Sequence, residues 1–164
     1  MNARSDVSAD ERSKPGSPEA ALYRCDGEIT SSTWVNWRIE DSSRFNGQFG
    51  ELQTRCDGDR AIVRFRPHFG LGNIAGNVHG GAVMTMIDMA MFIGAQVLGL
   101  DSAARGLTVD CNVQFVGGAD LERPVDAVVQ ITRETGRFLF VRGTVEQGGD
   151  MIASYIGILR KHRP

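Results

Sequence analysis

A chain of 164 residues with 20 Asp and Glu against 18 Lys and Arg, and 41% hydrophobic residues, has the length and apolar content for one packed domain rather than two. The formal charge of −2, a pI of about 5.9 and the lack of any Lys/Arg block argue against nucleic-acid binding. Cys25, Cys56 and Cys111 are odd in number and far apart, without a C-x-x-C pair or a zinc-spaced histidine; reduced thiols, a cytoplasmic location and no metal site are expected.

In chain order, residues 1–20 are rich in Ser, Asp, Glu, Arg and Pro and lack the apolar run of a signal peptide, so a mobile tail is expected. Residues 21–45 are expected to form a helical extension, with Ser31 or Ser32 as cap, Trp34, Trp37, Arg38 and Asp41 at helical spacing, and Trp34, Trp37 and Phe45 packing on the main body. The main domain is assigned to 46–164. Its first two strands are expected at 51–56 and 60–66, with Ala61, Val63 and Phe65 on one face and Arg60, Arg64 and Arg66 on the other. Pro67 ends this hairpin, and a glycine-bearing loop runs from Gly70 to Gly76. Gly70-x-Gly72-x-x-x-Gly76 is a weak match to a dinucleotide-binding turn, because the helix does not start at those glycines and no βαβ unit follows.

Residues 73–100 dominate the sequence. Asn73-Ile-Ala-Gly-Asn-Val-His79-Gly80-Gly81 leads into a segment apolar on every side, in which Asp88 is the only charged residue. A helix apolar all round is a buried one, and a carboxylate there needs a partner or a task. A membrane span is disfavoured, since a central Asp costs roughly 2.5 to 3.5 kcal/mol and no Lys/Arg cluster flanks the segment. Strands follow at 107–115, 125–132, 138–146 and 151–159. In the first, Leu107, Val109, Cys111, Val113 and Phe115 alternate with Thr108, Asp110, Asn112 and Gln114; the last three, joined by glycine turns, read as an antiparallel meander. One enclosed helix and six antiparallel strands predict an α+β hotdog fold, the sheet wrapped around the helix. The part of the helix left uncovered predicts at least a homodimer, with a homotetramer built as a dimer of dimers left open.

Gly80 and Gly81 sit at the expected helix start, where free amides can bind an anion or the oxyanion of an attacked carbonyl. Asp88 lies eight residues on, roughly 12 Å along the axis. One carbonyl cannot touch both, but two helices antiparallel across a two-fold axis bring Asp88 of one chain to the Gly80 amide of the other.

The pattern Asn73-x5-His79-Gly80-Gly81-x6-Asp88, followed by Ala90 and Gly94, resembles the signature of hotdog-fold acyl-CoA thioesterases of the phenylacetate-degradation, 4-hydroxybenzoyl-CoA thioesterase-like, family. The similarity extends through Gly106-Leu-Thr108-Val-Asp110 and Thr135-Gly136-Arg137 and spans roughly 45–160. The resemblance implies hydrolysis of a thioester to a carboxylic acid and free coenzyme A. In it Asp88 is general base or nucleophile, the Gly80 amide polarises the carbonyl, and Asn73 positions substrate or water. His79 shapes the turn and Thr108 orients the water. Substrate-binding positions are Gly81, Gly106, Leu107, Gly136 and Arg137, with Arg105 as a second basic candidate; 115–119 lacks the Pro and basic residue common in relatives. The acyl tunnel depends on Trp34, Met84, Met91 and Phe92. No metal or organic cofactor is expected, coenzyme A being part of the substrate, and neither nucleic acid nor membrane is an expected partner. The alternatives are a non-catalytic acyl-CoA-binding or sensing module and a hotdog dehydratase or hydratase.

Overall fold

The computed structural model describes residues 23–25, 27–30, 33–39 and 41–162; the expected tail at 1–20, the Cys25 side chain and the caps Ser31 and Ser32 lie outside the described residues. The elements are β1 (Tyr23–Cys25), β2 (Val35–Ile39), β3 (Leu52–Asp57), β4 (Arg60–Phe65), α1 (Gly80–Val97), β5 (Leu107–Phe115), β6 (Val125–Glu134), β7 (Phe138–Gln147) and β8 (Asp150–Arg160). They form one antiparallel sheet in the order β1-β2-β3-β4-β6-β7-β8-β5, with α1 across its concave face. This is the hotdog arrangement, with the six expected strands as β3 to β8.

Among the described residues of the expected helix at 21–45 there are instead two strands, β1 and β2. Val35 and Trp37 are buried while Arg38 is exposed, a period of two set by β-branched and aromatic residues, and β2 pairs with β3 through Val35 opposite Thr54 and Trp37 opposite Leu52. Trp37 joins the core, whereas Trp34 lies under the Arg64 guanidinium at 4.0 Å and the Arg55 guanidinium at 5.2 Å, held by cation–π attraction. Arg64 also grips Asp126 on β6 with two bonds, of 2.6 and 2.7 Å. Trp34, just ahead of β2, thereby packs against arginines of β3 and β4.

In β4 the expected alternation holds, Ala61, Val63 and Phe65 being buried. The helix closes onto the sheet where side chains are small: a Cβ on Gly94 would stand 2.7 Å from Val129, and one on Gly157 would meet the Met91 sulfur. Gly99, at φ 82°, ends α1; the Gly99 amide bonds the Gln96 carbonyl and the Leu100 amide that of Ala95, a Schellman stop. By length and composition α1 could cross a membrane, yet eleven of its residues are buried in the core. The burial is incomplete along one stripe: Gly81, Met84, Thr85, Asp88, Phe92 and Gln96 all keep exposure.

The meander of β6, β7 and β8 matches expectation, but β5 does not join its near end. The 116–124 connection carries the chain across, leaving β5 at the sheet edge beside β8. A bulge between Thr108 and Asp110 also breaks the expected alternation in β5. Thr108 pairs with the buried Leu159, and Cys111 with Gly157 under the helix. Thr108 therefore shares the concave face with Cys111, Val113 and Phe115 instead of opposing them.

Candidate active site

The site begins in the loop before α1. The Asn73 side-chain oxygen accepts from the Ala75 and Asn77 amides at 2.9 and 3.1 Å, and the Asn73 amide donates to the Asn77 carbonyl. Asn73 thus organises the loop with its oxygen. Only its NH2 group is left to face outward.

His79 is the helix N-cap. Its amide donates to the Leu71 carbonyl at 2.8 Å, and its Nδ1 accepts the Gly81 amide at 2.9 Å. The cap satisfies Gly81 and skips Gly80, whose amide has no hydrogen-bond partner among the described residues. That leaves one backbone donor at the positive end of a long helix. The Phe115 ring lies beside it, 3.6 Å from where a Cβ on Gly80 would stand.

Asp88 sits two turns along the exposed stripe of α1, half-buried. The Thr108 hydroxyl donates to its Oδ1 at 2.5 Å, a short charge-assisted bond that fixes the carboxylate while the other oxygen stays available. This bond exists because the bulge in β5 turns Thr108 toward the helix. Cys111, on the same face, has its thiol pushed up by burial first and then by the charges of Asp88 and Asp110. It is held as a thiol and is no rival nucleophile to Asp88. Burial above all, and then Cys111, raises the Tyr155 phenol, whose hydroxyl donates to the Val128 carbonyl at 2.9 Å. Cys56 and Cys111 are both unpaired thiols.

At the other end of α1, a cleft of about 380 Å³ gathers Gly106, Leu107, Gly136, Arg137 and Arg105, and adds Arg160, Lys161 and His162. A Cβ on Gly106 would stand 2.6 Å from the Arg160 carbonyl, so that glycine allows the close approach. The Thr135 hydroxyl accepts the Phe138 amide at 2.9 Å and tightens the turn bearing Arg137. Lys161 is paired with Glu134 at 2.7 Å; Arg105, Arg137 and Arg160 form no ion pair among the described residues. The cleft is therefore strongly cationic. Arg160, Lys161 and His162 were not singled out in the sequence because only the end of β8 folding back on the 105–107 turn makes them neighbours.

The expected residues thus fall into two groups. His79, Gly80 and Gly81 form the helix start, with Asn73 bracing the loop just ahead of it, and Thr108 meets Asp88 in mid-helix; Gly106, Leu107, Gly136 and Arg137 line the cationic cleft. Of the expected tunnel residues, Met91 is fully buried in the core, while Met84 and Phe92 lie on the exposed stripe with Asp88. No cluster of three or more metal-ligating side chains occurs among the described residues.

Residues 75–154 match the family model of the Thioesterase superfamily. None of the curated proteins compared with the chain matches it. Among solved structures, zebra fish thioesterase superfamily member 2 superposes with a TM-score of 0.65 at 18% identity, over 74% of this chain and 89% of that one. A hypothetical thioesterase from Streptococcus pneumoniae, solved with coenzyme A, gives 0.62 at 16% identity over 71% and 90%. A mutant of the phenylacetic acid degradation protein PaaI from Thermus thermophilus gives 0.61 at 18% identity over 72% and 98%. The fold is that of these thioesterases.

Proposed function

We propose that the protein is an acyl-CoA thioesterase working as a homodimer, with each site shared between two chains. The observation that carries the reading is the fixed carboxylate of Asp88, bonded by Thr108 at 2.5 Å, on the same exposed face of α1 as an unpartnered Gly80 amide. The match to the Thioesterase superfamily over 75–154 and the fold shared with a coenzyme A-bound thioesterase support the substrate class.

The dimer follows from two uncovered features. β5 presents an unpaired edge with exposed Leu107, Val109 and Phe115, which soluble proteins cover, and α1 presents its stripe beside that edge. Two chains joined along β5 by a two-fold axis would run their helices antiparallel and place Asp88 of one beside Gly80 of the other. The partner's cationic cleft, at the C-terminal end of its helix, would then lie on the same side as the first chain's helix start. Arg105, Arg137 and Arg160 would hold coenzyme A phosphates there.

In this reading the thioester carbonyl oxygen accepts the Gly80 N–H, which stabilises the charge that develops on it. Asp88 takes a proton from water as the water oxygen bonds to the carbonyl carbon. The C–S bond then breaks, and the proton passes to the leaving thiolate. Alternatively Asp88 bonds to the carbon itself and the C–S bond breaks to release the thiolate, giving an anhydride that water opens to the free acid and the restored Asp88 carboxylate. Because a thiolate leaves readily, the chemistry asks for no metal or organic cofactor. Thiol release from a panel of aryl and fatty acyl-CoAs tests the reading: turnover on at least one member is expected, and none on any member would overturn it.

A further inference from the structure

A second cavity, of about 590 Å³, opens against the start of α1, with no β5 residue in its lining. One wall is the 3-10 turn Phe45–Phe49; the other is the helix itself, through Gly81, Ala82 and Thr85, with Leu71 between them. His79 and Gly81, the residues on either side of the Gly80 amide, both line it. The cavity therefore opens beside the Gly80 amide, the half of the shared site that this chain supplies at its helix start. No Asp, Glu, Lys or Arg lines it.

The outer wall is anchored at two points. Phe45 meets Phe49 edge-on at 6.3 Å, and Phe49 meets Phe65 at 6.0 Å, so a ladder of aromatic contacts runs from the rim, where Phe45 is 68% exposed, to Phe65 in the core. Nearby, His68 Nδ1 accepts the Gly70 amide at 3.1 Å, which leaves Nε2 to donate to the Gln48 carbonyl at 2.9 Å. Phe49 thus ties the turn to the core and the Gln48 carbonyl ties it to the loop at His68.

We propose that this cavity receives the acyl group, that Phe45 sets how much of it can be buried, and that the enzyme selects uncharged acyl groups over those carrying a second carboxylate. The inference rests on the thioesterase reading for the identity of the ligand. The selection against charge follows from the lining, where the His68 ring is already bonded to the Gln48 backbone carbonyl and the Gly70 amide and no Lys or Arg is present to pair a carboxylate.

The test uses non-hydrolysable S-alkyl-CoA thioethers of increasing length, titrated calorimetrically into the wild type, Phe45→Ala and Phe45→Trp. In the wild type Kd should fall roughly three- to fourfold per added methylene until the cavity is filled, then level off. Phe45→Ala should move the levelling point to longer chains and Phe45→Trp to shorter ones. A terminal carboxylate should weaken binding by at least about tenfold. Affinity independent of chain length, a levelling point unmoved in both variants, or equal binding of the carboxylated ligand would each overturn the proposal. Length-dependent binding together with thioesters that stay intact would instead refute the thioesterase reading and leave the cavity's role standing.

Discussion

Replacing Thr108 with valine removes one hydroxyl and nothing else of consequence, because valine is β-branched and fits a strand as threonine does. The hydroxyl donates to Asp88 Oδ1 at 2.5 Å. Hydrogen bonds to charged groups are worth about 1.5–3 kcal/mol, and partial exposure of this pair favours the lower end. If the bond serves to aim the carboxylate in the transition state, losing about 1.4 kcal/mol lowers kcat roughly tenfold. KM should hardly move, since the substrate is bound by other groups. Thr108→Ser keeps the donor and should retain most of the activity. Steady-state kinetics of the three proteins on one acyl-CoA separate the outcomes: a wild-type kcat in Thr108→Val, or an equal loss in Thr108→Ser, would refute the argument.

Other substitutions probe other parts of the structure. Gly94→Ala drives a methyl to 2.7 Å from the branched carbon of Val129, which cannot swing aside, and should destabilise the fold by about 1–3 kcal/mol in urea unfolding. His79→Ala removes the cap on Gly81 and should cost about 1 kcal/mol of stability, whereas His79→Asn supplies another capping acceptor and should restore both stability and activity; an inactive, stable His79→Asn would point to acid–base work by the imidazole. Arg137→Ala should raise KM for acyl-CoA several-fold at unchanged kcat, with a weaker dependence on ionic strength than the wild type. A wild-type KM would remove Arg137 from the phosphate site.

Much of this architecture can be read directly from residue order. The Ala61-Ile-Val-Arg-Phe65 alternation, the glycine turns of the meander and the Asn73-to-Asp88 spacing are local, and each survives folding unchanged. What escaped is of two kinds. Residues 34–41 satisfy helical and strand spacing at once, so an eight-residue window cannot decide; pairing with β3 does, and Val35 and Ile39 are the local hint that a strand wins. The remaining features are tertiary. The bulge that turns Thr108 to Asp88 exists only in the register with β8, and the cationic cleft appears only when Arg160 and Lys161 fold back onto the 105–107 turn. The displacement of β5 to the sheet edge likewise depends on long-range pairing, and it creates the face on which the proposed dimer rests.

The central claim is that the Gly80 amide of one chain and Asp88 of the other serve the same carbonyl. Proline is tolerated at the first position of a helix, and His79 before it has φ −64° and ψ 137°, the extended conformation a following proline requires. Gly80→Pro therefore deletes the N–H while keeping the helix start, and should lower kcat about 10²–10³-fold. Gly80→Ala, whose Cβ would sit 3.6 Å from Phe115, keeps the donor and should stay active. Asp88→Asn should be inactive as well. When Gly80→Pro and Asp88→Asn chains are unfolded together and refolded as random dimers, half are hybrids and each hybrid holds one intact shared site, so about a quarter of wild-type activity should return. Hybrids verified by mass that remain inactive would contradict the shared site.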